Sequence, residues 1–402
     1  TPEREIRDDS PMLPPLSGLR VIAVEQYGAG PYGSMQLADL GAEVIKIENP
    51  ADGGDMARRV GPFFVGPEES QFFHSFNRNK KSVTLDLKKP GAKAVLHALA
   101  ARSDALFDNL RGDLPAKLGL TYTDLASANP KIVCAHLSAY GRDRPRAHWP
   151  GYDYLMQAEA GYLSLTGEPD GPPARMGLSI VDLMTGLFAA FALVSGVLAA
   201  RQTGQGRDLD VSLFDTALQN LAYLATWYLN AGHNQGREPR SAHPSLVPSQ
   251  LYRTGDGFIF IMCNKEKFWP ILCERIGHPE WAEDPRFCRF KDRLANRDTV
   301  NRLLDEALSQ RTTADWLERF GGLVPAAPVN DLKAALDNPF VAERERIREY
   351  GPVRMIAGPV IDSGAAAPQE PAPALGADTD AVLAECGFSA AEIRQLRADR
   401  VI

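Results

Sequence analysis

Cysteine is scarce in this chain of 402 residues: Cys134, Cys263, Cys273, Cys288 and Cys386 lie far apart, with no CxxC pair. An odd number of scattered thiols excludes a disulfide framework and a zinc knuckle, and fits reduced thiols in a cytoplasmic protein. The seven histidines show no HxH or HxxxH spacing, so no metal site is expected. No GxSxG elbow is present, which removes the hydrolase reading that such a turn would carry. Positive charge is in deficit, with 44 Lys and Arg against 51 Asp and Glu. A net charge of −7 excludes non-specific binding to nucleic acid, which needs a basic footprint. It leaves room for a local basic pocket around a phosphorylated small molecule. Long apolar runs are also rare. Leu183–Ala200 is 18 residues long, contains Gly186, Ser195 and Gly196, and is closed by Asp182 and Arg201. That length touches the lower edge of a membrane span, and the run reads as a buried core helix, not a membrane segment. Residues 1–15 are polar and carry both charges, which predicts an N-terminal arm without a secretory signal.

What is present is ordinary globular composition: 44% hydrophobic and 24% charged. The length predicts two to three domains. Leu19–Val24, Ala42–Ile47, Ser82–Leu87, Ala105–Phe107 and Ile132–Leu137 read as strands. Helical stretches separate them, one placed by Pro31 and Gly41 and another running from Pro90 to Arg102. Strands alternating with helices predict βαβ units and a parallel sheet. Beyond it, Val181–Ala200 and Leu213–Leu229 read as long buried helices around a short strand at Leu209–Val211. Ala231–Pro248 reads as a loop. Gly255-Asp256-Gly257 sits between Leu251–Arg253 and Phe258–Met262, a hairpin signal. With amphipathic helices at Phe268–Ile276, Asn301–Gln310 and Thr313–Phe320, this predicts a second, smaller α+β domain. Pro352–Pro373 shows little periodicity, and Ser389-Ala-Ala-Glu392 is a capping box opening a terminal helix.

Five motifs carry chemistry. Gly28-Ala29-Gly30-Pro31-Tyr32-Gly33 is a literal GxGxxG between a strand and a helix, with Glu48 20 residues after Gly28. Such glycines let a backbone approach a pyrophosphate, and such an acid holds a ribose hydroxyl. A ligand-free turn, a nicotinamide or flavin site, and another nucleotide-bearing cofactor all remain open on spacing. Asn77-Arg78-Asn79-Lys80-Lys81 places three cations before a strand, either to meet phosphates or as a solvated face. Asp108-Asn109-Leu110-Arg111 ends a strand, where open α/β sheets bind ligands; a turn with a helix cap is the plainer alternative. Gly151-Tyr152-Asp153 and Asp182, flanked by Gly177 and Gly186, complete the set. Asp182 reads either as a first-turn acid favoured by the helix dipole or as a carboxylate nucleophile.

Taken together, these motifs resemble the class III coenzyme A transferases, which include formyl-CoA transferase and carnitine CoA-transferase and are related to α-methylacyl-CoA racemase. The resemblance runs from about residue 16 to 390, through Leu40-Gly-Ala-Glu-Val-Ile-Lys-Ile-Glu48, Asn77–Lys88, Gln202-Thr-Gly-Gln-Gly-Arg207, Asp210-Val-Ser-Leu-Phe-Asp215 and Val324-Pro-Ala-Ala-Pro-Val-Asn330. It implies an α/β fold: a Rossmann-like large domain with a parallel sheet, a smaller α+β domain, and two chains closed through each other as an interlocked-ring homodimer. The implied division is an arm over 1–15, the large domain over 16–225 and 341–402, and the small domain over 226–340. CoA and acyl-CoA enter as substrates, with no prosthetic group. The partner substrate is a small carboxylic acid, and the family's habits point to a dicarboxylate such as succinate.

The resemblance also assigns residues. Asp182 matches the catalytic aspartate, which takes the acyl group as an anhydride and then CoA as an aspartyl thioester. Tyr152 and Asp153 fall beside the reacting centre. Gly28, Ala29 and Gly30 fall in the first CoA loop. Leu85 and Lys88 fall at the nucleotide end, Asn109, Leu110 and Arg111 along adenosine and pantetheine, and Lys117 near the phosphates. Three departures shape the expectation. Tyr152 stands where a racemase needs histidine, and a tyrosine of ordinary pKa is a poor proton shuttle. Ser241-Ala-His243-Pro-Ser245 replaces the glycine-rich flap of formyl-CoA transferases, and Asn49 stands where some members carry arginine. The expected activity is acyl-CoA:carboxylate CoA transfer. The alternatives are an acyl-CoA racemase or isomerase, a nicotinamide-dependent oxidoreductase, and a silent CoA-binding protein.

Overall fold

The computed structural model describes residues 12–67 and 69–402, so most of the expected N-terminal arm lies outside the described residues. The chain forms two units. The first combines the residues up to Ala160 with Gly177–Leu221 and Arg344–Ile402, and the second combines Gly161–Met176 with Ala222–Glu343. Residues 161–176, expected in the large domain, therefore belong to the second unit.

The first unit is built on six parallel strands: β1 Arg20–Val24, β2 Glu43–Glu48, β3 Lys80–Thr84, β4 Ala105–Asp108, β5 Val133–Ser138 and β6 Arg207–Ser212. Their order is β3-β2-β1-β4-β5-β6, the Rossmann order. The inner strands are buried on both faces because helices cover both faces. One face holds Ile22, Ile45, Val83, Leu106 and Cys134 against helices α2 Ala92–Ala100, α10 Thr379–Glu385 and α11 Ala390–Ala398. The C-terminal residues close this core, with Asp86 N–H donating to the Val401 carbonyl at 2.7 Å. Helix α1 Ala29–Asp39 packs on α4 Ile180–Thr203, and α4 crosses the sheet with Gly196 against Val133 and Leu209.

Three elements differ from expectation. The strand expected at Ser82–Leu87 is Lys80–Thr84, because Lys80 and Ser82 are buried inside an ion-paired interior that apolar patterning cannot reveal. The single helix expected over Leu213–Leu229 is two, α5 Leu213–Asn220 and α6 Ala222–Ala231. Ala222 breaks it with φ +47°, and α6 buries none of its residues. The expected buried helix α4 is buried along one flank only: Leu187, Phe188, Phe191 and Leu198 are exposed. Within the irregular Pro352–Pro373 stretch, Val353–Ile356 pairs antiparallel with Ile347–Tyr350 around Gly351.

The second unit pairs strands β7 Ser249–Arg253, β8 Phe258–Met262 and β9 Ala326–Pro328 antiparallel. Helices α7 Phe268–Ile276, α8 Arg297–Leu308 and α9 Thr313–Phe320 supply Trp269, Leu304, Trp316 and Phe320 to one core with Tyr252. Both spans Phe268–Ile276 and Thr313–Phe320 form as the periodicity predicts.

Candidate active site

Strands β1 and β4 are neighbours, yet the chain leaves them toward opposite edges of the sheet. Their C-terminal ends therefore diverge and leave a crevice, the place where such sheets bind ligands. The loops after them, Gln26–Ala29 and Asn109–Arg111, line a cleft of about 360 Å³. Asn109 laces the two loops together. Its Oδ1 accepts from Gln26 N–H at 2.9 Å, and its Nδ2 donates to the Gln26 carbonyl at 2.8 Å. Gly30 is needed here, because a Cβ would sit 2.7 Å from the Asn109 side chain.

Asp182 enters the cleft from the first turn of α4. Gly33 of α1 and Gly186 of α4 bring the two helices into backbone contact, and a Cβ on Gly33 would lie 2.4 Å from the Gly186 carbonyl oxygen. That approach puts Asp182 against the start of α1. A Cβ on Gly28 would be 3.2 Å from Asp182 Oδ2. Asp153, in the first turn of α3 Asp153–Glu159, is buried behind Asp182 and accepts from its backbone N–H at 2.9 Å. Gln157 fixes Asp153 by donating to its Oδ1 at 2.5 Å. Burial, and then the charge of Asp153, push the Asp182 carboxyl up to about 7. Helix dipoles favour anions at their N-termini, so these two effects outweigh the dipole. The site thus holds a carboxylate that is costly to ionise and reactive once ionised.

The family model of CoA-transferase family III matches residues 16–379. The chain belongs to that family. Class III CoA-transferases move CoA between carboxylic acids, and the enzyme is a transferase of this kind. The acetyl-CoA:oxalate CoA-transferase of Acetobacter aceti is 37% identical over 358 residues, covering 89% of this chain and 91% of that protein. The succinate–glutarate CoA-transferase of Agrobacterium fabrum is 34% identical, covering 82% of this chain and 84% of that protein. Among solved structures, Rv3272 from M. tuberculosis superposes with a TM-score of 0.83 at 32% identity, over 92% of this chain and 99% of its own. A CAIB/BAIF family protein from Brucella suis gives 0.81 at 32% identity, over 93% of this chain and all of its own.

The cleft of this CoA-transferase family member gathers Gly28, Ala29, Asn109, Leu110, Arg111, Tyr152 and Asp182 from the residues expected at the site. Tyr152 is 65% exposed, with its ring at the cleft wall. Others stand apart. Gly30 is buried beneath the loop. Leu85 is buried in the core, which leaves only its main chain to meet a ligand. Lys88 is exposed and does not line the cleft. Lys117 binds Asp113 at 2.6 Å, and Arg111 binds the same carboxylate at 2.5 Å, so these cations form one surface cluster.

Two motif readings need correction. Glu48, read as a ribose-binding acid, is buried and pairs with Arg58 at 2.6 Å while accepting from Ser82 Oγ. Burial opposes its charge, but the Arg58 hydrogen bond and Lys46 outweigh it and hold the carboxyl at about 2. No free acid is left there for a nicotinamide nucleotide. The cation run is neither a phosphate cradle nor a solvated face. Arg78 binds Asp39 at 2.6 Å, Lys80 binds Glu25 at 2.8 Å, and Lys81 binds Glu43 at 2.6 Å.

Several cleft residues escape sequence reasoning. Gln26 and Tyr27 follow β1 directly, and the strand-end rule would have found them. Met56 and Trp149 carry no sequence signal. Behind Asn109, His136 bridges Asp108 at 2.5 Å and Asp208 at 2.9 Å. Burial opposes its charge, but the two carboxylates push the imidazole up to about 9. Among the described residues no cluster of three or more His, Cys, Asp and Glu side chains is arranged to hold a metal ion.

Proposed function

We propose that this protein transfers CoA from an acyl-CoA donor to a small carboxylic acid, with Asp182 as the carboxylate that carries the acyl group. The observation that carries the reading is Asp182 itself: a carboxyl in the switch-point cleft, raised to about 7 by burial and Asp153. The ionised oxygen attacks the thioester carbonyl carbon. The C–S bond breaks, CoA leaves as thiolate, and an aspartyl mixed anhydride remains. The thiolate then attacks the Asp182 carbonyl and releases the donor acid, leaving an aspartyl-CoA thioester. The acceptor carboxylate attacks that thioester, and the same two steps run in reverse. No net proton moves, so Tyr152 has no acid or base role to fill and serves as a wall beside the reacting atoms. The anhydride and the thioester both survive only where water is kept out.

The acceptor is inferred to be a dicarboxylate, from relatives named for oxalate, succinate and glutarate. The nucleotide end of CoA is assigned to the Arg111 and Lys117 surface, with Lys88 as a further cation. The assembly is inferred to be the interlocked homodimer of the family, and the exposed apolar flank of α4 and the unburied α6 favour self-association. Free thiols at Cys134, Cys263 and Cys273, all buried, suit a reducing cytoplasm.

The test is mass spectrometry of the intact protein and its peptides after mixing with acetyl-CoA and succinyl-CoA, trapped by hydroxylamine. A mass change on the Asp182 peptide is expected, and it is absent in Asp182→Ala. An adduct that persists in Asp182→Ala would move the chemistry to another residue.

A further inference from the structure

Seven non-glycine residues among those described have positive φ, and Tyr27 alone of them lines the cleft. Its φ of +70° is a conformation that an L side chain adopts at a cost. Such strain persists only where surrounding groups over-determine it. The group that does so is Asp55. Its two oxygens accept from Tyr27 N–H at 3.0 and 3.3 Å. Asp55 Oδ1 also accepts from Ala57 N–H at 2.9 Å, capping the turn Met56–Arg59 that brings Met56 to the cleft wall. Two strand-end loops, one after β1 and one after β2, therefore hang on a single carboxylate.

That carboxylate is itself locked. Lys46 Nζ lies 2.9 Å from Asp55 Oδ2 and donates to the Glu25 carbonyl at 3.0 Å, one residue before Gln26. Glu25 is held in turn by Lys80 at 2.8 Å and Ser34 Oγ at 2.7 Å. Both lysines have no exposed side-chain surface. Interiors exclude such charges unless they are paired, and here each lysine faces a carboxylate: Lys46 meets Asp55 and Lys80 meets Glu25. Its end point is the peptide that leads into Gly28, which lies against Asp182.

We propose that Asp55 is a positioning residue for CoA transfer: by holding the Tyr27 amide and the Met56 turn, it fixes the Gln26–Ala29 loop against Asp182. The proposal rests on Asp182 as the acyl carrier. It differs from a purely structural role because it acts through the backbone conformation of Tyr27.

The experiment measures single-turnover acyl capture at Asp182 by intact-protein mass spectrometry with acetyl-CoA and succinyl-CoA, beside kcat and KM for each. Asp55→Ala and Asp55→Asn are compared in the parent protein and in the Tyr27→Gly background, where positive φ is free. In the parent, Asp55→Ala slows capture about 10- to 100-fold through kcat, with KM changed less than about threefold. Asp55→Asn keeps an acceptor for Tyr27 N–H and recovers part of the rate. In the Tyr27→Gly background each Asp55 substitution costs less than about threefold further, because the strained backbone no longer needs its clamp. Equal losses in both backgrounds, capture at the parent rate, or a loss confined to KM would overturn the proposal. If Asp55→Ala does not fold, the Asp55→Asn pair decides by the same comparison. A parent protein that forms no adduct at all would remove the Asp182 reading first, an outcome separate from any Asp55 result.

Discussion

In the proposed reaction Asp182 must be charged to attack, yet it stands where charge is expensive. Its carboxyl is raised to about 7, first by burial and then by Asp153. We therefore expect kcat/KM to fall as pH drops below about 7, read from initial rates with a fixed donor and acceptor. Asp153→Asn removes the second cause and moves that limb to lower pH. The same shift bears on stability, with a definite sign. A folded-state pKa above the unfolded one favours the fold at low pH, and this contribution is lost as pH rises through about 7. At pH 8 the ionised carboxylate therefore weakens the fold. Asp182→Asn is expected to abolish adduct formation and to stabilise the protein at pH 8 by on the order of 2 kcal/mol, a rise of a few degrees in Tm. At pH 3, where both states are protonated, the two proteins should melt alike. The residue types at this site were legible: an aspartate among glycines at a helix start is visible in the sequence. The shift was not, because burial and the distance to Asp153 are set by segments nearly 30 positions apart.

At the scale of elements, the glycine motif looked like a nucleotide loop and proved to be also a helix crossing. Gly33 and Gly186 allow α1 and α4 to touch, and that contact aims Asp182 at the cleft. Gly33→Ala places a Cβ 2.4 Å from the Gly186 carbonyl oxygen. It is expected to cost about 1–3 kcal/mol in urea unfolding and to lower transfer together with stability. A second element-scale device is His136, which ties β4, β5 and β6 through Asp108 and Asp208. Its pKa is raised, so its support for the fold is full below the ordinary histidine value and is lost as pH climbs through about 9. His136→Gln should lower Tm at pH 6.5 and flatten the decline toward pH 9. Periodicity found the inner strands of the sheet within a residue or two. It misplaced β3 because ion pairs, not apolar side chains, fill that part of the interior. It merged α5 and α6 because a left-handed Ala222 leaves no mark on composition.

At the scale of the molecule, the first unit is assembled from distant parts of the chain, with Ser82 and Thr84 bonded to Asp378 and Thr379. The proposed interlocked dimer makes a sharp statement about mass and unfolding. Light scattering should give twice the 43.9 kDa chain mass at nanomolar concentration. Dissociation should coincide with unfolding, since linked rings separate only when one opens. A folded monomer would overturn the arrangement. By itself the sequence determined the α/β fold class and the family, and it singled out Asp182 as the candidate carboxylate, because strand and helix periodicity and short ordered motifs are local properties. Tertiary structure alone decided which charges are spent in the interior, how acidic Asp182 is, and which loops share the Asp55 carboxylate. Those depend on burial and on distances between remote segments, and no local pattern encodes either.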